Sequence, residues 1–352
     1  MTISEFAEKI GVSTTTVSRA IHGRGRVSPA TRGLVLERMK ELGYTPNLNA
    51  QRLSHGRTYM VALDFGIWHD FLSDMYFVEI TRGVEDVLET RGYGVLLCGP
   101  GAALDRWVKT RAVDGVILMG NPADKSLSQE IAKTGTPCVV IGNHPVEGIP
   151  GVGSVVVGVR SGARQVAQLL VERGHRRIGF IASEYLEDVF CEFRDELEKL
   201  GVTLPESGVI RAGHTPDDGA RALCELLAQR EAPTAVFTRT DGLAFGALGA
   251  AHRMGLRIPE DLSIVGHDDV SFAKLTEPPL TTVRVDCVTL AGLAADTLFS
   301  LLDQPNIRTE PQVVPTDLIV RDSVSAPRAW ALAYRESVRL VARRDADSQV
   351  TA

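Results

Sequence analysis

The chain has 352 residues, with 38 Lys+Arg against 44 Asp+Glu and a formal charge of −6; 44% of its residues are hydrophobic and 23% charged. These proportions exclude a disordered or collagen-like chain, and at roughly 100–200 residues per domain the length predicts two or three domains with sizeable cores. No run approaches the roughly 18 apolar residues of a membrane helix. The N-terminal MTISEFAEKIG has no apolar core of the kind a secretory signal needs. The five cysteines, at 98, 138, 191, 224 and 287, include no CxxC pair, which fits reduced cytosolic thiols better than a disulfide framework or a zinc site. The expectation is a cytoplasmic protein with no membrane partner.

Charge is unevenly placed. Residues 1–57 hold nine Lys/Arg, four Glu and no Asp, a balance of +5, and the remainder carries −11. A small basic head on an acidic body is the electrostatic footprint of a protein that meets nucleic acid, although an ordinary solvated surface has the same arithmetic.

The head reads as three short helices. Thr2 and Glu5 form a capping-box pair, Phe6 and Ile10 lie one turn apart, and Gly11 stops the first helix. Ser13 can cap a second helix from Thr14 to Ile21. Ser28 caps a third, with Pro29 at its first position, Val35, Met39 and Leu42 on one face, and Gly43 at its end. The first two helices, joined by a few residues containing Gly11, match a helix-turn-helix. In the second, Val17, Ala20 and Ile21 supply the apolar face, and Thr14, Thr15, Ser18 and Arg19 lie opposite. Short hydroxyls and one Arg on the N-terminal part of a helix can enter a major groove. A threonine methyl can touch thymine, and Arg19 can pair with a guanine edge or a phosphate. The same pattern also suits a solvated helix of a three-helix bundle. After Tyr44-Thr45-Pro46, residues 47–57 contain Ala50 and Leu53 on one helical face, in a segment too short to hold as a helix alone. An exposed Leu among basic residues suits a helix that orders on DNA and wedges Leu53 into the minor groove; a plain linker is the alternative.

Together, GVSTTTVSRAI, RVSPATR, ELGYTPN and the A-x-x-L of residues 50–53 closely resemble the lactose-repressor (LacI) family of transcription factors. The resemblance implies that Thr14, Thr15 and Arg19 read bases, that Ser13, Thr16, His22 and Asn47 contact phosphate or the groove, and that Ala50 and Leu53 form the hinge pair. It continues to about residue 325.

From Tyr59 onward strand and helix signals alternate. Buried strands are expected at Val61–Phe65, Gly94–Cys98, Gly115–Met119, Cys138–Ile141, Ile178–Ala182, Ala235–Thr238 and Ser263–Gly266. Amphipathic stretches lie between them, such as Ile80, Val84, Val87 and Leu88, or Ala163, Val166, Ala167 and Leu170. Continuous apolar runs separated by helices predict parallel sheets covered on both faces. So long a body predicts two such lobes with a ligand cleft between them, lined from the carboxyl ends of the strands. Enzymatic readings lack support: there is no G-x-x-x-x-G-K-[ST] and no G-x-S-x-G, and Gly151-Val-Gly153 lacks a third glycine at fingerprint spacing. His267-Asp268-Asp269 could be read as a metal cluster, but adjacent strand residues alternate faces and rarely ligate together. No metal and no cofactor are expected.

RAVDGVIL, VERGHRRIGFI, PTAVF, RIPEDLSIVGHDDV and EPPLTTVR resemble the periplasmic-binding-protein-type sensor of LacI regulators. The resemblance implies a multidomain chain. Residues 1–46 would be an all-α helix-turn-helix head and 47–57 a hinge helix. Residues 58–325 would be a two-lobed α/β sensor and dimerisation core with parallel sheets, lobe one about 58–157 plus 287–316 and lobe two about 158–286 plus 317–325. It places Asp268 as an effector-contacting carboxylate. Thr240 stands where Asn or Asp usually binds, beside Asp241; His214 stands at a position often aromatic; Tyr76 and Phe77 form the aromatic pair at the cleft edge. Several polar clamps depart from the pattern: Gly158-Val159 replaces Asp-Asn, Val189 replaces Arg, and Glu192 replaces Gly. The longer segment Gly66–Asp74 offers Trp68 and His69, which with Glu184 or Arg239 could substitute for them.

The resulting expectation is a repressor of carbohydrate-utilisation genes, acting as a homodimer, with a tetramer as the alternative. It would bind palindromic double-stranded DNA and respond to a sugar or sugar derivative. A nucleoside, a phosphometabolite or a protein co-regulator is the alternative effector; a solute-binding protein or an enzyme is the rival class. Beyond Pro327, Trp330, Tyr334, Val338 and Val341 recur at helical spacing in the tail 326–352, which suits a short oligomerisation helix or a frayed end.

Overall fold

The computed structural model describes residues 1–22, 26–45, 56–66, 71–101, 103–119, 124–183, 188–305 and 307–328. The chain divides into two compact units, residues 1–59 with 111–114, and the rest.

In the head, α1 spans Ile3–Ile10, α2 Thr14–His22 and α3 Pro29–Glu41. Each begins where a hydroxyl satisfies backbone donors that the first turn leaves open. Thr2 Oγ1 accepts from Glu5 N–H while Thr2 N–H donates to Glu5 Oε2 at 2.8 Å. Ser13 Oγ accepts from Thr16 N–H, and Ser28 Oγ from Thr31 N–H, both at 3.1 Å. Gly11 closes α1 in the left-handed region at φ +70. Phe6, Val17, Ala20 and Val35 are fully buried, and Tyr44 stacks on Phe6 with ring centroids 4.4 Å apart. Leu42, expected on the packed face of α3, is instead 42% exposed. It falls at the helix C-cap, where the chain turns away and carries the side chain off the face.

The body alternates strands and helices. In chain order these are β1 Met60–Asp64, α4 Met75–Thr90, β2 Gly94–Cys98, α5 Ala103–Lys109, β3 Gly115–Met119, α6 Asp124–Lys133, β4 Cys138–Gly142, β5 Val152–Gly158 and α7 Val159–Glu172. There follow β6 Ile178–Ser183, α8 Asp188–Lys199, β7 Val209–Ala212, α9 Pro216–Leu227, β8 Ala235–Thr238 and α10 Asp241–Arg253. The body ends with β9 Ser263–Asp268, β10 Thr281–Arg284, α11 Cys287–Asp303, β11 Gln312–Pro315 and β12 Asp317–Ile319. Two six-stranded sheets form, ordered β11-β5-β4-β3-β1-β2 and β12-β10-β9-β8-β6-β7. Strands β3, β4, β6, β8 and β9 are buried along their whole length, as expected for largely apolar strands covered on both faces, although β9 ends on the polar His267 and Asp268.

The first sheet is parallel throughout. The second carries one antiparallel edge, β12 against β10. The reason lies in the connection: only Thr316 separates β11 from β12, so the chain crosses directly, without the helix that a parallel return needs. The chain passes between the sheets at three places, after Gly158, after Arg284 and at Thr316. Thr316 is 1% exposed and ties two of these crossings: its hydroxyl donates to Gly158 O at 2.9 Å and accepts from Gly162 N–H at 3.1 Å.

Candidate functional site

Helix α2 separates its side chains by chemistry. Val17 and Ala20 are buried, whereas Thr14, Thr15 and Arg19 are exposed. Ser13 and Thr16 face each other, their hydroxyl oxygens 2.8 Å apart, so each keeps only part of its bonding capacity for another partner. The side chain of His22, and Asn47, Ala50 and Leu53, lie outside the described residues, as do Trp68, His69, Glu184 and the tail from 329 onward.

In the body, a cavity of about 70 Å³ lies where the carboxyl ends of strands from both sheets meet. The first sheet contributes Met119, Ile141 and Val157; Asn143 follows β4, and Asp74, Tyr76 and Phe77 come from the start of α4. The second contributes Arg239 and Thr240 after β8, His267 and Asp268 at the end of β9, and His214 after β7. Five of the residues expected from sequence, Tyr76, Phe77, His214, Thr240 and Asp268, are thus brought to one cavity. Tyr76 and Phe77 pack edge to face at 5.3 Å. Thr240 also caps α10, accepting from Leu243 N–H at 3.2 Å. His214 Nδ1 lies 3.2 Å from Ser183 Oγ.

Asp241 is the correction. It does not line the cavity. Its fully buried carboxyl bonds Thr282 Oγ1 at 2.6 Å and accepts Val270 N–H at 2.9 Å, which uses it to join α10 to β10 and to the turn after β9. As the first residue of α10 it points one position away from Thr240, toward the sheet. The departures from the family pattern also lie off this wall: Val189 is fully buried core in α8, and Glu192 pairs with Arg160 Nε at 2.8 Å.

The electrostatics centre on Asp268. It is 6% exposed, and burial pushes its carboxyl up to about 7, opposed by the Arg239 guanidinium and by the backbone N–H of Asp241. Asp74 is pushed up to about 6 by burial and by the charge of Asp268, opposed by Tyr76 N–H at 2.9 Å and by Arg239. Burial, helped by Arg239, holds the His267 imidazole well below its usual range, so the ring is neutral. Arg239 Nη1 lies 4.0 Å from Asp268 Oδ1 and 3.4 Å from His267 Nδ1. Apolar walls with a few convergent polar groups are the make-up of a small-molecule site. Asp74 and Asn143 carry no sequence signal for the cleft. Asp74 reads only as a helix cap, which it also is, and strand-to-loop placement alone brings Asn143 there.

Residues 2–47 match the family described as bacterial regulatory proteins, lacI family, and residues 167–324 match the periplasmic binding protein-like domain. The repressor CytR of Escherichia coli (strain K12) is 32% identical over 92% of this chain and 96% of its own length. The regulator CelR of Thermobifida fusca is 33% identical over 92% of this chain and 98% of its own. The chain belongs to the LacI family. Among solved structures, a CelR–cellobiose complex superposes with a TM-score of 0.68 at 31% identity, covering 92% of this chain and 99% of that one. The architecture follows: a helix-turn-helix head and a periplasmic-binding-like body with two largely parallel sheets. The family consists of DNA-binding transcriptional regulators, not enzymes, and this LacI-family chain is a transcriptional regulator of that kind. Among the described residues no helix is long and apolar enough to cross a membrane.

Proposed function

We propose that this LacI-family regulator is a repressor that reads a palindromic operator as a cytoplasmic homodimer through α2, and is switched by a sugar or sugar derivative in the cavity beside Asp268. The observation that carries the reading is the division of α2: its apolar residues are spent on the head core, and Thr14, Thr15 and Arg19 are left exposed together. One such helix spans a half-site, so a symmetric pair requires two. In this reading Ser13, Thr16 and the residues Asn47, Ala50 and Leu53 extend the interface, and residues 1–46, 47–57 and 58–325 divide as head, hinge and sensor. The solved CelR complex holds cellobiose; here the aromatic Tyr76 and Phe77 offer faces for a sugar ring and Asp268 offers acceptors for hydroxyls.

A ligand can shift operator binding only through its different affinity for the two states of the cleft. Two substitutions therefore separate the two sites. Arg19→Ala should weaken the specific operator by about 1–3 kcal/mol in gel shifts. Asp268→Asn should abolish the effector response and keep effector-free operator binding within about twofold. Footprinting that shows one asymmetric half-site, bound equally by Arg19→Ala, refutes the operator reading; loss of operator binding in Asp268→Asn with the response intact refutes the effector reading.

A further inference from the structure

Arg239 follows β8 at its carboxyl end and is 5% exposed, on the wall of the cavity. A guanidinium carries five N–H donors in a fixed fork, stays charged, and when buried calls for a planar, two-oxygen acceptor. Among the described residues Arg239 has none. Its Nε has no hydrogen-bond partner among them. Its Nη1 stands 4.0 Å from Asp268 Oδ1, well beyond the roughly 2.7–2.9 Å of a charge-assisted bond.

The neighbouring acids are committed elsewhere. Asp268 Oδ1 lies 3.0 Å from His267 Nδ1. A neutral ring that gives its Nδ1 proton to Asp268 keeps no lone pair there for Arg239. Asp241 is taken by Thr282 and Val270, Asp269 by Arg284 and Arg321, and Glu79 accepts Ser271 N–H at 2.8 Å. Asp74 caps its own helix through Tyr76 N–H. Among the described residues the protein therefore buries a bidentate cation at the cavity and supplies no bidentate acid for it.

We propose that the effector is a sugar acid, an aldonate or a uronate, whose carboxylate pairs with Arg239 while its hydroxyls bond Asp268 and Asp74. The inference rests on reading the cavity as the effector site. A carboxylate suits the site better than a phosphate monoester, whose second charge a single Arg beside two Asp leaves unbalanced. The aspartates tolerate the anion because either can take up a proton: Asp268 stands at about 7 and Asp74 at about 6. The charged and titratable groups facing Asp268 are Arg239, His267, Asp241, Asp74, Glu79, Tyr76 and Cys287. Asp241 too is held well above the usual carboxylate range, but Asp268 and Asp74 are the two raised acids that line the cavity. An incoming anion raises both, so binding takes up a proton and tightens as pH falls from about 8 to about 6.

The test is calorimetry on the full chain with D-gluconate, D-galactonate, D-glucuronate and D-galacturonate, against D-glucose, D-glucosamine and glucose 6-phosphate, at pH 6 and pH 8. At least one acid should bind ten or more times tighter than every neutral, amino or phosphorylated probe, with a buffer-dependent heat that reports proton uptake. Arg239→Met should weaken that acid at least tenfold and Arg239→Lys by less, both variants still melting cooperatively. Acids that bind no tighter than glucose, or that bind Arg239→Met unchanged, overturn the proposal. A neutral sugar that binds tightly and is lost in Asp268→Asn overturns it too, yet leaves the cavity as the effector site. Tight Arg239-dependent binding of an acid that leaves operator affinity unchanged upholds the ligand class and refutes the regulatory reading instead.

Discussion

Asp241 offers a sharp separation between a structural and a ligand-binding carboxyl. Its two oxygens meet Thr282 Oγ1 and Val270 N–H, and the strand opposite makes room for it: a Cβ added at Gly266 would lie 2.1 Å from Asp241 Oδ1. Asp241→Ala leaves the Val270 donor and the Thr282 hydroxyl unpaired in the interior. At about 1–3 kcal/mol for each of the two stranded groups, the loss should come to about 2–6 kcal/mol, a fall on the order of 4–12 °C in the melting temperature of a unit this size. Asp241→Asn should behave differently. Its amide can donate to Thr282 Oγ1 and its oxygen can accept from Val270, so at pH 7 it should lie within about 1 kcal/mol of the parent. Burial, and then the charge of Asp268, hold the Asp241 carboxyl well above the usual carboxylate range. A raised acid stabilises the fold fully below its unfolded value, near about 4, and loses that contribution as pH rises through the folded value. The Asn variant has nothing to lose there, so it should gain on the parent as melts move from pH 5 to pH 8.5. An Asn variant as unstable as the Ala variant would refute this bonding scheme. An Asn variant that melts normally but no longer responds to effector would show that Asp241 meets the ligand after all.

Three further expectations follow from named contacts. Phe6 is fully buried and stacked on Tyr44, so Phe6→Ala should remove about 3–5 kcal/mol from the head alone; calorimetry should show the head transition lost, with operator binding, and the body transition unmoved. Ser28→Ala deletes the cap on Thr31 N–H and should destabilise the head by about 1 kcal/mol, with glycine there costing less. Asp268 and Asp74 are both raised, so their contribution is complete below about 4 and is lost as pH rises through about 6–7. The buried, lowered His175 and His267 act in the opposite sense over the same range. The readout is therefore a difference: Asp268→Asn should gain stability relative to the parent between pH 5 and pH 8, and a constant difference would refute the raised carboxyl.

The parts of the fold legible in the sequence were those whose signal is local. The caps at Thr2, Ser13 and Ser28 need only a hydroxyl three residues before a backbone donor, and each is made. The central strands need only an unbroken apolar run, and Gly115–Met119 and Cys138–Gly142 are buried end to end. Two edge strands of the second sheet lack that signal. In β7 and β12 no residue is fully buried, so Val209–Ala212 and Asp317–Ile319 look like loop until a neighbour pairs with them. The cleft was legible in part for the same reason. Tyr76, Phe77, His214, Thr240 and Asp268 follow from resemblance. Nothing nearby in sequence separates Thr240, which faces the cavity, from Asp241, which turns to Thr282 41 residues away. That no described acid meets Arg239 bidentately is likewise a property of three dimensions: it needs the positions of His267 and Asp268, from the next strand, to be known.

The end of β9 shows how far local rules reach. Strand alternation places His267 and Asp268 on opposite faces, which would keep their side chains apart. Instead His267 Nδ1 and Asp268 Oδ1 lie 3.0 Å apart. The backbone explains the exception. Asp268 has φ +120 and Asp269 φ +54, two consecutive L residues in the region that favours glycine, each at a cost of about 1–3 kcal/mol. That strain persists because the segment is held from several sides. Asp269 pairs with Arg284 Nε at 2.8 Å and with Arg321, its N–H donates to Thr282 Oγ1 at 3.4 Å, and the next N–H is fixed by Asp241. The twist turns the Asp268 side chain off the strand's alternation and into the cavity beside Arg239, although its backbone stays paired with Arg284, while Asp269 is retained by arginines on β10 and just beyond β12. Arg284 and Arg321 each lie next to a strand leading to or from a crossing between the sheets. The carboxyl placed to meet a ligand and the carboxyl that grips these strands are therefore adjacent residues sharing one strained peptide, so the bend after His267 links the cavity wall to the ion pairs that hold Arg284 and Arg321.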